Sequence, residues 1–311
     1  MAMFVRITCA RRFSMTPARV WCIAASTLLG SASWAQAEAV HYDVFVTSSG
    51  TGTKLVIGGY DDDALTATVP AEQMRVFGGE VVGSGTAAPY ESAAPGEPGF
   101  RAGSQSFLDN PSLMSPAAVY KALSGSAALT FTFQPIAIGA ATRNLFYWDG
   151  VGAVQFAPIG GNVVLGLEKQ GAGGWTALIT GTSSGVVSGN TIQNSTATGG
   201  VHTHLFTSIG TDGAAPAQGF YLFSIQLAMA GYNPSDPLYF VFGALDPDNL
   251  APQFADFAAF EAAHGAAELW VEETMAVPEP TAWLLTVCGA ATIAGARRRR
   301  QDAPAHANWR E

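Results

Sequence analysis

The sequence predicts an all-β body, a β-sandwich of mostly antiparallel strands with one or two short helices, and three observations lead there. Short apolar or alternating runs recur along the chain between clusters of Gly, Pro, Asn, Asp and Ser, the pattern of strands separated by turns. The 35 glycines and 17 prolines among 311 residues follow no collagen-like period, so they punctuate turns. Helical periodicity is scarce. The composition, 48% hydrophobic and 13% charged, excludes a disordered polyelectrolyte, because there is apolar area enough to offset the entropy of ordering.

In chain order, strands are expected at 40–46, 54–57, 129–133, 144–147, 154–156, 162–167, 175–179, 202–208, 220–227, 238–243 and 268–272. Leu129-Thr130-Phe131-Thr132-Phe133 alternates strictly, whereas 220–227 is an almost continuous apolar run. One helix is expected at 253–264, where Phe254, Phe257, Ala258 and Glu261 follow a helical period and Gly265 offers a left-handed stop. A second is expected at 117–123, with Ser115 as cap and Pro116 at the first helical position. The Gly- and Pro-rich stretches 83–103 and 181–200 are expected to be loops. No fixed-period repeat occurs, and the body, residues 38–276, is of a length suited to one domain of two packed sheets.

The two ends carry address-like patterns. Arg6, Arg11, Arg12 and Arg19 precede or open an apolar run at 20–29, followed by Ala35-Gln36-Ala37, the order of a secretory signal peptide cleaved after Ala37. At the other end Pro278-Glu279-Pro280 precedes an uncharged stretch, 281–296, and then Arg297, Arg298, Arg299 and Arg300. Sixteen residues rise about 24 Å as a helix, a short span that snorkelling arginines and a thinned bilayer accommodate. The arginines orient it, holding their side and the tail 301–311 in the cytoplasm and the body beyond the inner membrane.

This ordered combination resembles the PEP-CTERM sorting signal of Gram-negative bacteria, over residues 277–300. The resemblance implies recognition by an exosortase, removal of the tail, and delivery to the cell surface or an extracellular polysaccharide matrix. The segment 301–311 after the arginines is longer than the family's usual ending.

Cys9, Cys22 and Cys288 all lie in these ends, so the body holds no disulfide, thiolate zinc site or cysteine nucleophile. Residues 38–276 hold six basic residues against 21 acidic ones, a formal charge of −15. Such a body repels phosphate backbones and excludes nucleic-acid binding; cations and neutral glycans are the better ligands.

Two of the body's histidines fall in Val201-His202-Thr203-His204. On a strand, residues two apart share a face, so the imidazoles stand side by side and can ligate one metal ion. His41-Tyr42-Asp43 offers a further same-face pair, and His264 or a carboxylate a fourth ligand. Several imidazoles, a carboxylate and no thiol suit zinc better than calcium or magnesium. The bland alternative is two solvent-facing histidines.

The phrases around them, His41-Tyr42-Asp43, Pro98-Gly99-Phe100, Leu145-Phe146-Tyr147-Trp148, Gly219-Phe220-Tyr221-Leu222 and Ser235-Asp236-Pro237-Leu238, resemble a group of surface β-domains. That group includes zinc-repressor-controlled PEP-CTERM and choice-of-anchor proteins. The resemblance implies zinc handling at the surface, with His202, His204, His41 and Asp43 as ligands.

Tyr60-Asp61-Asp62-Asp63 and Asp246-Pro247-Asp248-Asn249 lack the spacing of a twelve-residue calcium loop and read as solvated turns. Phe146, Tyr147, Trp148 and Trp175 are candidates for a sugar-stacking platform, although alternation sends half of them into the core. There is no H-E-x-x-H helix and no P-loop. The expectation is therefore a non-enzymatic surface protein that binds zinc. An exopolysaccharide-binding adhesion or biofilm-matrix module is the alternative, and a metal-dependent hydrolase comes third.

Overall fold

Alternation along the chain becomes two-faced strands in the structure, a computed structural model that describes residues 42–276 apart from 72, 87–88, 93–95, 172–173 and 213. The expected signal peptide, His41 and the sorting segment 277–300 lie outside the described residues. Among the described residues no helix is long and apolar enough to cross a membrane.

The described residues are mostly β with two α-helices, and their sheets curl. A six-stranded sheet runs in the order Val201–Thr203, Phe100–Ala102, Asp43–Ser48, Leu55–Asp61, Thr66–Thr68, Met114–Ser115. A larger sheet of eleven strands has Gly219–Met229 and Leu238–Leu245 at its centre. Gly219–Met229 is long enough to pair with Leu145–Trp148 through one half and Ala128–Gln134 through the other. Most pairs are antiparallel; Leu238–Leu245 on Val76–Val82, Asp43–Ser48 on Phe100–Ala102 and Thr66–Thr68 on Met114–Ser115 are parallel. The large sheet curls until Trp175–Thr180 approaches Val187–Asn194, where Lys169 Nζ donates to Ile192 O (2.6 Å) and Trp175 Nε1 to Thr191 O (2.9 Å).

Parity sorts the apolar side chains into three cores. Val44, Val46, Leu55, Ile57 and Phe100 leave one face of the six-stranded sheet and join Phe77, Phe131, Phe133, Phe223, Phe240 and Phe242 inside the curl. Their opposite-parity neighbours Phe45, Val56 and Tyr60 pack with Leu108 of the short helix Gln105–Leu108 and with Met114. The outer face of the large sheet, through Phe146, Phe220, Leu222 and Val241, buries Phe254 and the face Phe260, Ala267, Val271 of the helix Phe257–Val271. Each buried Phe contributes about 1.5–3 kcal/mol relative to exposure, which is why the apolar run at Gly219–Met229 occupies the position covered on both faces.

Several elements differ from expectation. The helix begins at Phe257, capped by Asp256, whose side chain accepts from Ala259 N at 2.8 Å, and it runs through Gly265 to Val271. Gly265 does not end it, and the strand expected at 268–272 is its last turn, because Phe260, His264, Ala267 and Val271 recur at helical spacing against the sheet. The helix expected at 117–123 does not form; Ala118 has φ 58°, outside the right-handed helical region, and Met114–Ser115 pairs as a strand. Both expected loops contain strands, Tyr90–Glu91 and Phe100–Ala102 in one and Val187–Asn194 in the other. No strand covers 154–156. The strand expected at 202–208 is broken at His204-Leu205: Val201–Thr203 belongs to the six-stranded sheet and Phe206–Thr211 to the large one.

Candidate functional site

That break builds the site. His202 lies opposite Arg101 in register, Arg101 opposite Phe45, and Asp43 opposite Tyr60. Side chains facing one another across strands share a face, so His202, Arg101, Asp43 and Tyr60 project from the same side of the six-stranded sheet. His204 follows the last residue of that strand, where the chain turns towards the large sheet. The segment 96–99, entering Phe100–Ala102, supplies Gly96, Glu97 and Gly99 beside it.

His202 Nε2 and His204 Nε2 stand 3.3 Å apart, with the ring planes at 64°. His204 Nδ1 lies 2.9 Å from Gly96 O. A carbonyl only accepts, so the proton sits on Nδ1 and neutral His204 carries its lone pair on Nε2, facing His202. Asp43 is 1% exposed. Its Oδ1 accepts from Gly99 N and its Oδ2 from Arg101 Nε at 2.8 Å. Arg101 also donates to Asp62 Oδ1, and its guanidinium lies 4.4 Å from the Tyr60 ring centroid, a cation-π contact. Glu97 Oε1 is 3.9 Å from His204 Nδ1, and Asp43, Glu97 and His204 each offer a ligand atom within 4.8 Å of the others.

The electrostatics record crowding of like charges. Burial pushes the Glu97 carboxyl up to about 7, and the charge of Asp43, a hydrogen bond with it, and Asp62 push the same way. Asp62 is also raised, by burial and then by Asp43. His202 is lowered, by desolvation first and then by Arg101 and His204, which keeps its imidazole neutral at neutral pH; with His204 Nε2 as acceptor, its proton sits on Nε2, and a metal ion binding there takes that proton's place. Three carboxylates face one guanidinium, so the cluster carries an excess of negative charge when all are ionised.

His202 and His204 are thus brought together as their spacing suggests. Asp43 reaches the same cluster, but both of its oxygens are engaged, and it holds Arg101 and the 96–99 segment in place. His264 does not join them. It lies on the helix Phe257–Val271, where its Nε2 donates to Val241 O at 2.9 Å, in a separate group with Glu80 and Glu261. Glu97, Arg101 and Asp62 escaped sequence reasoning. Glu97 sits in a Gly- and Pro-rich stretch read as loop, and only the pairing of Phe100–Ala102 between Val201–Thr203 and Asp43–Ser48 places Arg101 there.

Other candidates resolve into structure. Phe146 and Trp148 are buried, and the Tyr147 hydroxyl donates to Gln218 O at 2.8 Å, so the aromatic platform is largely consumed by packing. Asp61 Oδ1 accepts from Asp63 N and Ala64 N, closing its own turn, and Asp246 accepts from Asp248 N in its turn and from Gly85 N of a distant loop. Gly181-Thr182-Ser183-Ser184-Gly185 spells G-x-S-x-G, but it joins two strands and Ser183 Oγ accepts from Thr180 N at 3.0 Å. It lacks the strand-to-helix elbow of a serine hydrolase.

Neither the protein-family models nor the curated proteins contain a match to this chain.

Proposed function

We propose that this protein is an exported, surface-sorted, non-enzymatic binder of a divalent metal ion, zinc, held by Nε2 of His202 and Nε2 of His204. The observation that carries the reading is the 3.3 Å separation of those two nitrogens, with the His204 tautomer set by Gly96 O. Zinc–imidazole bonds of about 2.0–2.1 Å at a tetrahedral angle place two nitrogens about 3.3–3.4 Å apart, so the observed separation matches that of two imidazoles on one ion. A metal-ligating imidazole commonly donates its other N–H to a carbonyl, as His204 does. The surplus of carboxylates beside the pair favours a cation, and remaining coordination positions are open to water or an incoming ligand. Export and surface delivery rest on the patterns at 1–37 and 277–300, read as a signal peptide and an exosortase signal.

The test is elemental analysis of the full-length chain, without a histidine tag, after equilibration with zinc, beside a His202→Ala/His204→Ala variant. His202 is exposed and His204 only partly buried, so the variant keeps its core. Loss of about one zinc per chain supports the reading; an unchanged zinc content overturns it and leaves a hydrogen-bonded histidine pair.

A further inference from the structure

We propose a second divalent-metal site, of the zinc class, between the helix Phe257–Val271 and the strand Val76–Val82, with Glu80, Glu261 and His264 as its ligands. It is separate from the histidine pair and does not depend on that reading. The three side chains each offer a ligand atom within 4.8 Å of the others. Glu80 and Gly78 lie two apart on the strand and so share the face that meets the helix, while Glu261 and His264, three apart on the helix, share the face that meets the strand.

Two features point to a ligand there. First, His264 is 2% exposed and donates its Nε2–H to Val241 O at 2.9 Å, leaving the lone pair of its neutral ring on Nδ1. Second, Glu261 Oε1 is buried with no hydrogen-bond partner, a state that costs about 1–3 kcal/mol and more for a charged group unless something occupies it. Gly78, by contrast, makes room for a side chain: a Cβ there would overlap Glu268 Oε1, which also lies 3.6 Å from His264 Nε2. No lysine or arginine forms an ion pair with Glu80 or Glu261 among the described residues, so a cation has no competitor in place. Two carboxylates and one imidazole form a borderline donor set suited to zinc or manganese rather than calcium. Glu80 and Glu261 are partly buried and His264 is buried, so the group lies at the edge of the helix–sheet contact.

The experiment is equilibrium dialysis of metal-depleted full-length chain against zinc alone. The expected contents are two per wild-type chain, one in His202→Ala/His204→Ala, one in Glu80→Gln/Glu261→Gln and none in the combined variant. Glutamine keeps the shape and hydrogen-bonding capacity of both side chains, and a thermal melt confirms folding. In His202→Ala/His204→Ala, with the second site intact, zinc should also shift the His264 imidazole signals in an NMR spectrum. Equal zinc contents in Glu80→Gln/Glu261→Gln and wild type, or unmoved His264 signals, overturn the second site and leave a carboxyl pair sharing a proton. Loss of zinc only in Glu80→Gln/Glu261→Gln overturns the histidine-pair site and supports this one.

Discussion

Asp43 and Arg101 form an ion pair across two parallel strands, with the carboxylate fully buried and the guanidinium 19% exposed, Arg101 Nε donating to Asp43 Oδ2 at 2.8 Å. The other oxygen accepts from Gly99 N, so one carboxylate fastens both a strand and the segment that leads into it. Replacing Arg101 with methionine keeps the stem that covers Tyr60 but strands a buried negative charge. The expected cost is about 3–5 kcal/mol in urea unfolding. Adding Asp43→Asn to that variant should recover part of the loss, a coupling that a double-mutant cycle measures.

Gly99 is required by space. A Cβ on it would lie 2.7 Å from Asp43 Oδ1 and 2.7 Å from both Nδ1 and Cε1 of His204. Gly99→Ala must therefore push His204 away from Gly96 O or Asp43 away from the Gly99 amide. The expected result is a loss of about 1–3 kcal/mol of stability together with weaker zinc binding at the histidine pair. Zinc titration beside thermal melts checks both, and a variant that binds zinc as wild type does would show that the ring position is irrelevant to the metal.

Legibility followed the range of the interactions. Leu129-Thr130-Phe131-Thr132-Phe133 was readable as a strand because a period of two is local, and the histidine pair was readable because residues two apart share a strand face. What could not be read was long-range. Glu97, Arg101 and Asp62 meet His204 only because Phe100–Ala102 is inserted between Asp43–Ser48 and Val201–Thr203, a pairing with no local signature. The helix end is set at long range for the same reason. Gly265 is a plausible stop by propensity, but the sheet surface that buries Ala267 and Val271 outweighs it. His264, offered as a fourth ligand to the pair, was drawn instead to the opposite side of the large sheet by that helix.

In metal-depleted chain, stability should fall as pH rises through the physiological range. Burial, a hydrogen bond that protonated Glu80 donates to Glu261, and the charge of Glu261 push the Glu80 carboxyl up to about 8 from 4.5. Between those values the folded state holds a proton that the unfolded state has released, so unfolding is favoured progressively with pH; the loss is complete above about 8 and absent below about 4.5. Glu80→Gln should flatten this part of the profile, and zinc should raise the melting temperature most at the alkaline end. Melting curves of the three samples from pH 5 to pH 9 read it directly, and a profile unchanged by Glu80→Gln would assign the slope to other groups.

Trp148 separates packing from glycan recognition. It is 5% exposed, its ring lies 5.4 Å from that of Phe220, and its Nε1 donates to Val151 O at 3.3 Å. A side chain that already has neighbours on its faces has none to offer a sugar. Trp148→Ala should therefore cost about 3–5 kcal/mol through lost contacts and the cavity left behind. Any binding to neutral exopolysaccharide should fall only in proportion to the fraction unfolded, as chemical denaturation and a glycan pull-down on the same sample would report. A stable Trp148→Ala protein that had lost glycan binding would place the aromatic strand at a sugar site, and would shift the function from metal binding towards adhesion.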